Sequence, residues 1–428
     1  MNTIVQILRR EIAARGAVPF ARFMQLALYC PDSGFYEKKE DSPGRAGSFF
    51  TSVSVGPLFG RLLAVQFAQW LDELRSAPAA PRPPLSLVEA GAHDGQLAAD
   101  ILDWLGIHRP EILSQIAYVI LEPSPRRQVW QRQTLKKFKQ VRWVSSFEDS
   151  RFQRLNGIIF SNELLDAMPV RRFGWDARAR KWFEWGVTLE GDKFVWTRRR
   201  FLPLPQGGEG WGEGAVLVSQ VHGEGQGLSG RSFRAKADEV RARELEWMLD
   251  VRCSMFDVSG FMMRGSSSSI LHLPASLLAV LPDGYTIETC PAAENWWRQA
   301  ARALRHGRLM TIDYGFTADE FFSPSRTRGT LRAYFRHHAT DDLLANPGEQ
   351  DLTAHVNFSA IQAAGEACGL ATEQFPTQGR FLTRILANAV KSGLWEKMKP
   401  AEARQFQTLT HPEHLGRAFR VLVQSRKA

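Results

Sequence analysis

Short, mostly apolar runs alternate along much of the chain with stretches whose apolar residues recur every three or four positions. The runs at 85–88, 117–121, 141–144 and 157–160 read as buried strands, and the periodic stretches 96–105 and 125–138 read as helices between them. A further short helix is predicted over 164–167, stopped by Pro169. Strands separated by helices in this way predict βαβ units, hence an α/β fold with a parallel sheet covered by helices on both faces. The alternation resumes with a strand over 284–290, a helix over 292–304 and a strand over 308–315. One sheet is therefore expected to draw on segments far apart in sequence. At the start of the chain, Ile4, Ile7, Leu8 and Ile12 repeat at helical spacing.

The periodic segments are broken at three places. "SAPAAPRPP" at 76–84 is too rich in proline for helix or strand. The stretch 203–230 is glycine-rich with little apolar periodicity and reads as a flexible insertion, and "RGSSSS" at 264–269 reads as a loop.

In an open parallel sheet, ligands bind at the carboxyl ends of the strands, where glycine lets the backbone approach and the next helix offers free N–H groups. "LSLVEAGAHDGQLAADIL" at 85–102 places Gly91 and Gly95 at such an end. Taken alone, that spacing suits a tight turn as well as a nucleotide loop. The next strand, "AYVILEPSP", ends in Glu122, where an acidic residue holds a ribose hydroxyl pair in dinucleotide folds. "GIIFSNELLDAMPV" at 157–170 puts Asn162, Glu163 and Asp166 directly after an apolar run. Two carboxylates three residues apart can bind a guanidinium in a fork and accept its proton.

The segments "FARFMQLALYCPDSGFY", "GSFFTSVSVGPLFGRLLA", "YVILEPSP", "SNELLDAMPV", "LMTIDYG", "RGTLRAYFRHH" and "GEQDLTAHVNFSAI" together resemble, in order, the motifs of the MidA family of S-adenosylmethionine-dependent methyltransferases. The mitochondrial member of that family is a protein arginine methyltransferase needed for complex I assembly. The resemblance implies a Rossmann-like class I methyltransferase sheet, S-adenosyl-L-methionine as cofactor and a protein as substrate. It divides the chain into an N-terminal helical lid region (1–75), a core (85–200 and 281–390), an insertion with substrate-side elements (201–280) and a C-terminal tail (391–428). It implies Asn162, Glu163 and Asp166 as catalytic residues, and Glu89, Gly91, Gly95 and Glu122 as cofactor contacts. It also marks Asp313, Tyr314, Arg332, His337, Asp351 and His355 as substrate-side positions.

Two positions depart from the family pattern. His93 stands where the loop carries its middle glycine, at a position that would favour glycine if φ there is positive. Val53 and Ser54 replace a proline and an acidic residue. The family reading of an arginine-directed enzyme therefore stands beside an alternative, a non-catalytic assembly factor that retains the fold.

Composition narrows the classes further. The 428 residues are 44% hydrophobic, enough for a large core, yet unbroken apolar stretches such as "SLLAVL" are far shorter than the ~20 residues of a membrane span. Cys30, Cys253, Cys290 and Cys368 are widely spaced, which indicates neither a zinc site nor a disulfide framework. With no secretory signal pattern at the N-terminus, the expectation is a cytoplasmic protein. The net charge of +9 comes without a recognised nucleic-acid motif, so it reads as solvated basic surface. No metal is expected.

Overall fold

The apolar runs form the middle of a sheet because both of their faces are covered. The computed structural model describes residues 3–38, 51–76, 85–149, 152, 155–199, 275–336, 338–395 and 398–427. Its central strands are β1 (Leu85–Ala90), β2 (Ile116–Leu121), β3 (Arg142–Val144), β4 (Leu155–Asn162), β5 (Leu304–Phe316), β6 (Ala371–Gln374) and β7 (Phe419–Arg426). They lie in the order β6-β7-β5-β4-β1-β2-β3, all parallel except β7, which runs against both of its neighbours. Strand order reverses between β1 and β4, where a doubly wound sheet leaves a crevice beyond its carboxyl edge.

The principal helices are α1 (Thr3–Arg15), α2 (Phe20–Tyr29), α3 (Leu58–Ser76), α4 (Gln96–His108), α5 (Pro125–Thr134), α6 (Pro291–Ala303), α7 (Phe358–Glu366) and α8 (Gln378–Lys391). On one face of the sheet, Ile158 and Phe160 of β4 pack in one cluster with Leu62 and Phe67 of α3, Leu97 and Ile101 of α4 and Phe381 of α8. On the other, Ile159 packs with Trp297 and Ala300 of α6 and Ile361 of α7. Each buried leucine, isoleucine or phenylalanine among them contributes roughly 1.5–3 kcal/mol, so both layers are needed to hold strands that are apolar on both faces.

A second, antiparallel sheet comprises Val18–Pro19, Arg171–Asp176, Lys181–Glu190, Lys193–Arg199 and Thr286–Thr289. A three-stranded sheet comprises Arg332–Phe335, His338–Thr340 and Asp351–Thr353. The apolar stripe of α1 (Ile4, Leu8, Ile12) and Phe20, Phe23 and Leu28 of α2 pack with Ala333 and Leu352 of that small sheet and with Leu331 just before it. The N-terminal segment is thereby fixed near the carboxyl edge of the central sheet.

Three sequence expectations are corrected. The C-terminal residues 391–428 are no tail, since β7 lies inside the sheet with Val421 and Val423 in one layer and Leu422 in the other. The strand expected over 284–290 is present as Thr286–Thr289, but it pairs with Arg171–Asp176 and not with the central sheet. Residues 164–167 form a turn and not a helix, and Glu163 ahead of them holds a left-handed φ of 51°. Most of the linker read at 76–84, the insertion at 203–230 and the serine run at 264–269 lie outside the described residues. Of 201–280, the helix Ala275–Val280 is described.

Candidate active site

Two turns build the site. The first leaves β1 at Ala90 and reaches α4 through Gly91 (φ 74°) and Gly95 (φ 88°). A side chain on Gly91 would come within 2.9 Å of Leu164, so the loop sits directly against the second turn. Between the glycines, His93 holds φ 47°, a conformation that costs a residue with a Cβ roughly 1–2 kcal/mol. The N–H of Gly95 closes the loop on the Ala92 carbonyl at 2.7 Å. The Asp94 carboxylate accepts the N–H of Gln96, the first residue of α4, at 3.0 Å. Glu89, near the end of β1, accepts the Tyr118 hydroxyl at 2.6 Å. Burial pushes its carboxyl up to about 7.

The second turn follows β4. The Glu163 N–H donates to the Ile312 carbonyl of β5 at 2.9 Å. The N–H groups of Leu164, Leu165 and Asp166 converge on one oxygen of Asp313, at 3.2, 2.8 and 3.4 Å. The other oxygen of Asp313 accepts the Tyr314 N–H at 2.8 Å. Glu163 Oε1 accepts the Ser52 N–H at 3.1 Å and the Asn162 amide at 3.0 Å, which ties the 51–56 segment to this turn. Asn162 Oδ1 is buried and unpartnered among the described residues.

The turns open on a cavity of about 260 Å³. Glu89, Gly91, Ala92, His93, Asp94 and Gln96 line it from β1, its loop and α4. Asn162, Glu163, Asp166, Tyr314, Asp351 and Thr353 line it from the second turn, β5 and the small sheet. Tyr29 and Tyr36, their rings stacked at 5.6 Å, close it from the N-terminal segment. Tyr36 donates its hydroxyl to Asp351 at 2.8 Å, and Tyr29 donates to the Ala167 carbonyl at 2.8 Å.

The lining holds five carboxylates (Glu89, Asp94, Glu163, Asp166, Asp351) and one guanidinium, Arg127, among the described residues. That guanidinium is paired with Glu122 at 3.2 Å and Glu37 at 3.5 Å. Burial, then the charge of Asp166, pushes Glu163 up to about 8. Burial, then Asp313, raises Asp166 well above the usual carboxylate range. Burial takes Asp351 up to about 6 and Asp313 to about 7, the backbone N–H groups on Asp313 pulling against it. A cation bound among these carboxyls would relieve the repulsion that holds their protons on and favour their ionised forms, which can then accept a proton from it.

The structure brings together Glu89, Gly91, Asn162, Glu163, Asp166, Tyr314 and Asp351. Other expected contacts lie elsewhere. Glu122 is fully buried and off the cavity wall, its oxygens spent on the Ser124 N–H (2.9 Å), Gln131 (3.0 Å) and Arg127. The Pro-Ser-Pro turn after β2 folds these partners over it. Gly95 serves the α4 turn and packs on α5, where a Cβ would sit 3.3 Å from Leu135. Asp313 is fully buried, and its backbone bonds make it an anchor and not a ligand-facing acid. Arg332 is exposed, its guanidinium on the Leu331 carbonyl. His355 stacks on Phe316 at 4.7 Å beside a separate small pocket, and burial lowers it to about 4, so it is neutral. His337 lies outside the described residues. Tyr29, Tyr36 and Arg127 were not singled out by sequence, although both tyrosines flank the "CPDSG" turn of a quoted motif.

Residues 62–376 match a family described as "Putative S-adenosyl-L-methionine-dependent methyltransferase". The chain is 27% identical to the mitochondrial protein arginine methyltransferase NDUFAF7 homolog of Drosophila melanogaster, over 98% of this chain and 84% of that one. It is 24% identical to the mitochondrial protein arginine methyltransferase NDUFAF7 of Homo sapiens, over 98% and 83%. A Burkholderia thailandensis COG1565 superfamily member and likely methyl transferase, solved bound to S-adenosyl-homocysteine, superposes with a TM-score of 0.70 at 28% identity. That alignment covers 99% of this chain and 92% of the other. The expected cytoplasmic location is overturned by these relatives, which are named as mitochondrial proteins.

Proposed function

The chain belongs to the S-adenosyl-L-methionine-dependent methyltransferase family, and on that premise we propose that it methylates a guanidinium nitrogen of arginine in a protein. The observation that carries this reading is the second turn, which presents Glu163 and Asp166 to a cavity rich in carboxylates and bounded by Tyr29, Tyr36 and Tyr314. A planar cation fits that chemistry through charge, hydrogen bonds and aromatic faces. The names of the curated relatives, protein arginine methyltransferases, support the same acceptor.

The residues present suit the cofactor at its methionine end. Gly91 lets the backbone approach, and the cavity-facing carboxylates of Glu89 and Asp94 complement a molecule carrying an ammonium and a sulfonium. Glu122 stands behind this end, with its oxygens on Ser124, Gln131 and Arg127. When bound, the cofactor supplies an electrophilic methyl group on sulfur. Glu163 and Asp351 hold the acceptor guanidinium, and the aromatic rings fix its plane and exclude water. As the acceptor nitrogen forms its C–N bond and the C–S bond breaks, Asp166 takes the proton that the nitrogen sheds. Its high proton affinity suits a base with a very weakly acidic partner.

Calorimetric titration with S-adenosyl-homocysteine and transfer of labelled methyl into a lysate, followed by amino-acid analysis, test this reading. Label in methylarginine is expected. Asp166→Asn is expected to lower transfer by roughly 10²–10⁴-fold while cofactor affinity holds. Absence of binding sinks the methyltransferase reading; binding with no transfer to any acceptor favours the non-catalytic factor; label in lysine or nucleic acid overturns the arginine assignment.

A further inference from the structure

The strained residue of the first turn has a partner that neither the fold nor the motif pattern marks. Gln131 lies on α5, one helical turn after Arg127, and is fully buried. Its side-chain oxygen accepts the indole N–H of Trp143 at 2.9 Å. An indole nitrogen only donates, so the amide orientation is settled: the oxygen faces Trp143 and the NH₂ faces the other way. That NH₂ spends one proton on the His93 carbonyl at 3.0 Å and the other on Glu122 Oε2 at 3.0 Å. The amide's two donors and its oxygen are thus all engaged, and the helix is seated against the loop, with Gln131 Cα 3.4 Å from where a Cβ on Gly95 would stand.

The bond lands on the carbonyl of the one non-glycine residue of this loop that has a left-handed φ. The direction of that carbonyl is set by ψ of His93, so a donor fixed in the core holds the backbone angle that a histidine would otherwise leave for an ordinary region. We infer that Gln131 is a positioning residue for cofactor binding, clamping the His93 carbonyl so that the loop keeps a glycine-like turn without glycine. The inference rests on the reading of this loop as the cofactor loop. It explains how His93 is compatible with a binding-competent conformation.

Four variants test the clamp: Gln131→Met, which removes every hydrogen bond at similar volume; Trp143→Phe, which removes only the bond that orients the amide; and each of these combined with His93→Gly. S-adenosyl-homocysteine affinity is read by calorimetry, thermal stability by melting, and amide exchange over 91–97 in protein without ligand. Gln131→Met is expected to weaken binding by about tenfold and to speed exchange of the Gly95 amide, and Trp143→Phe to weaken binding by about threefold. In both backgrounds His93→Gly should recover most of the affinity, because glycine adopts the turn unaided. Tm should stay depressed in the Gln131→Met pair, because Glu122 Oε2 and the Trp143 indole N–H still lack their Gln131 partner. Unchanged exchange in Gln131→Met and Trp143→Phe, or failure of His93→Gly to restore affinity, overturns the clamp. Failure of the unaltered protein to bind S-adenosyl-homocysteine would instead sink the methyltransferase reading, and the exchange measurement would still decide the clamp.

Discussion

The turns after β1 and β4 meet at the contact of Gly91 with Leu164, and each forces a residue with a side chain into the left-handed region, His93 at 47° and Glu163 at 51°. Their anchors differ in charge. The first turn is held by the neutral amide of Gln131, the second by the carboxylate of Asp313 beneath three consecutive N–H groups. A neutral anchor fixes shape alone. An anionic anchor fixes shape and also places a negative field under Asp166, which adds to burial in raising that residue's proton affinity. Holding a cofactor asks for geometry; accepting a proton asks for geometry and a tuned base.

Breaking the anionic anchor should have the largest effect. Asp313→Ala leaves the N–H groups of Leu164, Leu165, Asp166 and Tyr314 without their acceptor in the core. Hydrogen bonds to a charged group are worth roughly 1.5–3 kcal/mol each, so a loss of at least ~3 kcal/mol is expected in denaturant unfolding, with methyl transfer abolished. Asp313→Asn separates shape from field: it keeps an acceptor oxygen and removes the charge. The acid limb of its pH–rate profile should then move to lower pH, because Asp166 loses a like-charged neighbour. An acid limb that stays in place would show that the field of Asp313 does not reach the base.

The next contrast is pH. Glu163 is raised to about 8 from the usual 4.5. A carboxyl whose pKa is higher folded than unfolded binds its proton more tightly in the folded state. The stability this provides is fully present below about 4.5 and is lost as pH rises through about 8. The Tm of the ligand-free protein should therefore fall between pH 5 and pH 8, within that window. Glu163→Gln should flatten this decline. Beside the other turn, at the end of β1, Glu89 is raised less, to about 7, so Glu89→Gln should flatten it less. Equal slopes for the two variants would contradict the division between an acid-tuned turn and a shape-tuned one.

What could be read from sequence follows the same division. The apolar runs gave β1, β2, β4 and β5 because burial on both faces leaves an unmistakable pattern, and the glycines and acids after them gave the position of the site. β7 was not legible, since its apolar residues report burial but not that the strand inserts beside β5 from the far end of the chain. The roles of the acids were only half legible. Asp166, Asp313 and Glu122 are all carboxylates near strand ends, yet one faces the cavity, one faces backbone N–H groups and one faces Arg127. That choice depends on backbone angles such as φ of Glu163, which no residue pattern displays. Tyr29 and Tyr36 reach the cavity only because the N-terminal segment packs on the small sheet, a contact between residues more than 300 positions apart.

The smallest expected effect isolates backbone strain itself. His93→Gly and His93→Ala both remove the imidazole and its 3.7 Å approach to Asp94, so any difference between them reports φ and not the ring. A Cβ at a left-handed φ costs roughly 1–2 kcal/mol. Glycine gives back about 0.5–1 kcal/mol through the greater freedom of its unfolded chain. The glycine variant should accordingly be the more stable of the two by up to about 1.5 kcal/mol, a shift of a few degrees at most in a chain of this size. With Gln131 replaced by Met the gap should widen, because the clamp no longer helps alanine to hold the turn. The corresponding pair at the other turn, Glu163→Gly and Glu163→Ala, should keep the same gap in that background, since Asp313 anchors it independently. A gap that widens at both turns would mean that they are one cooperative unit joined through Gly91 and Leu164.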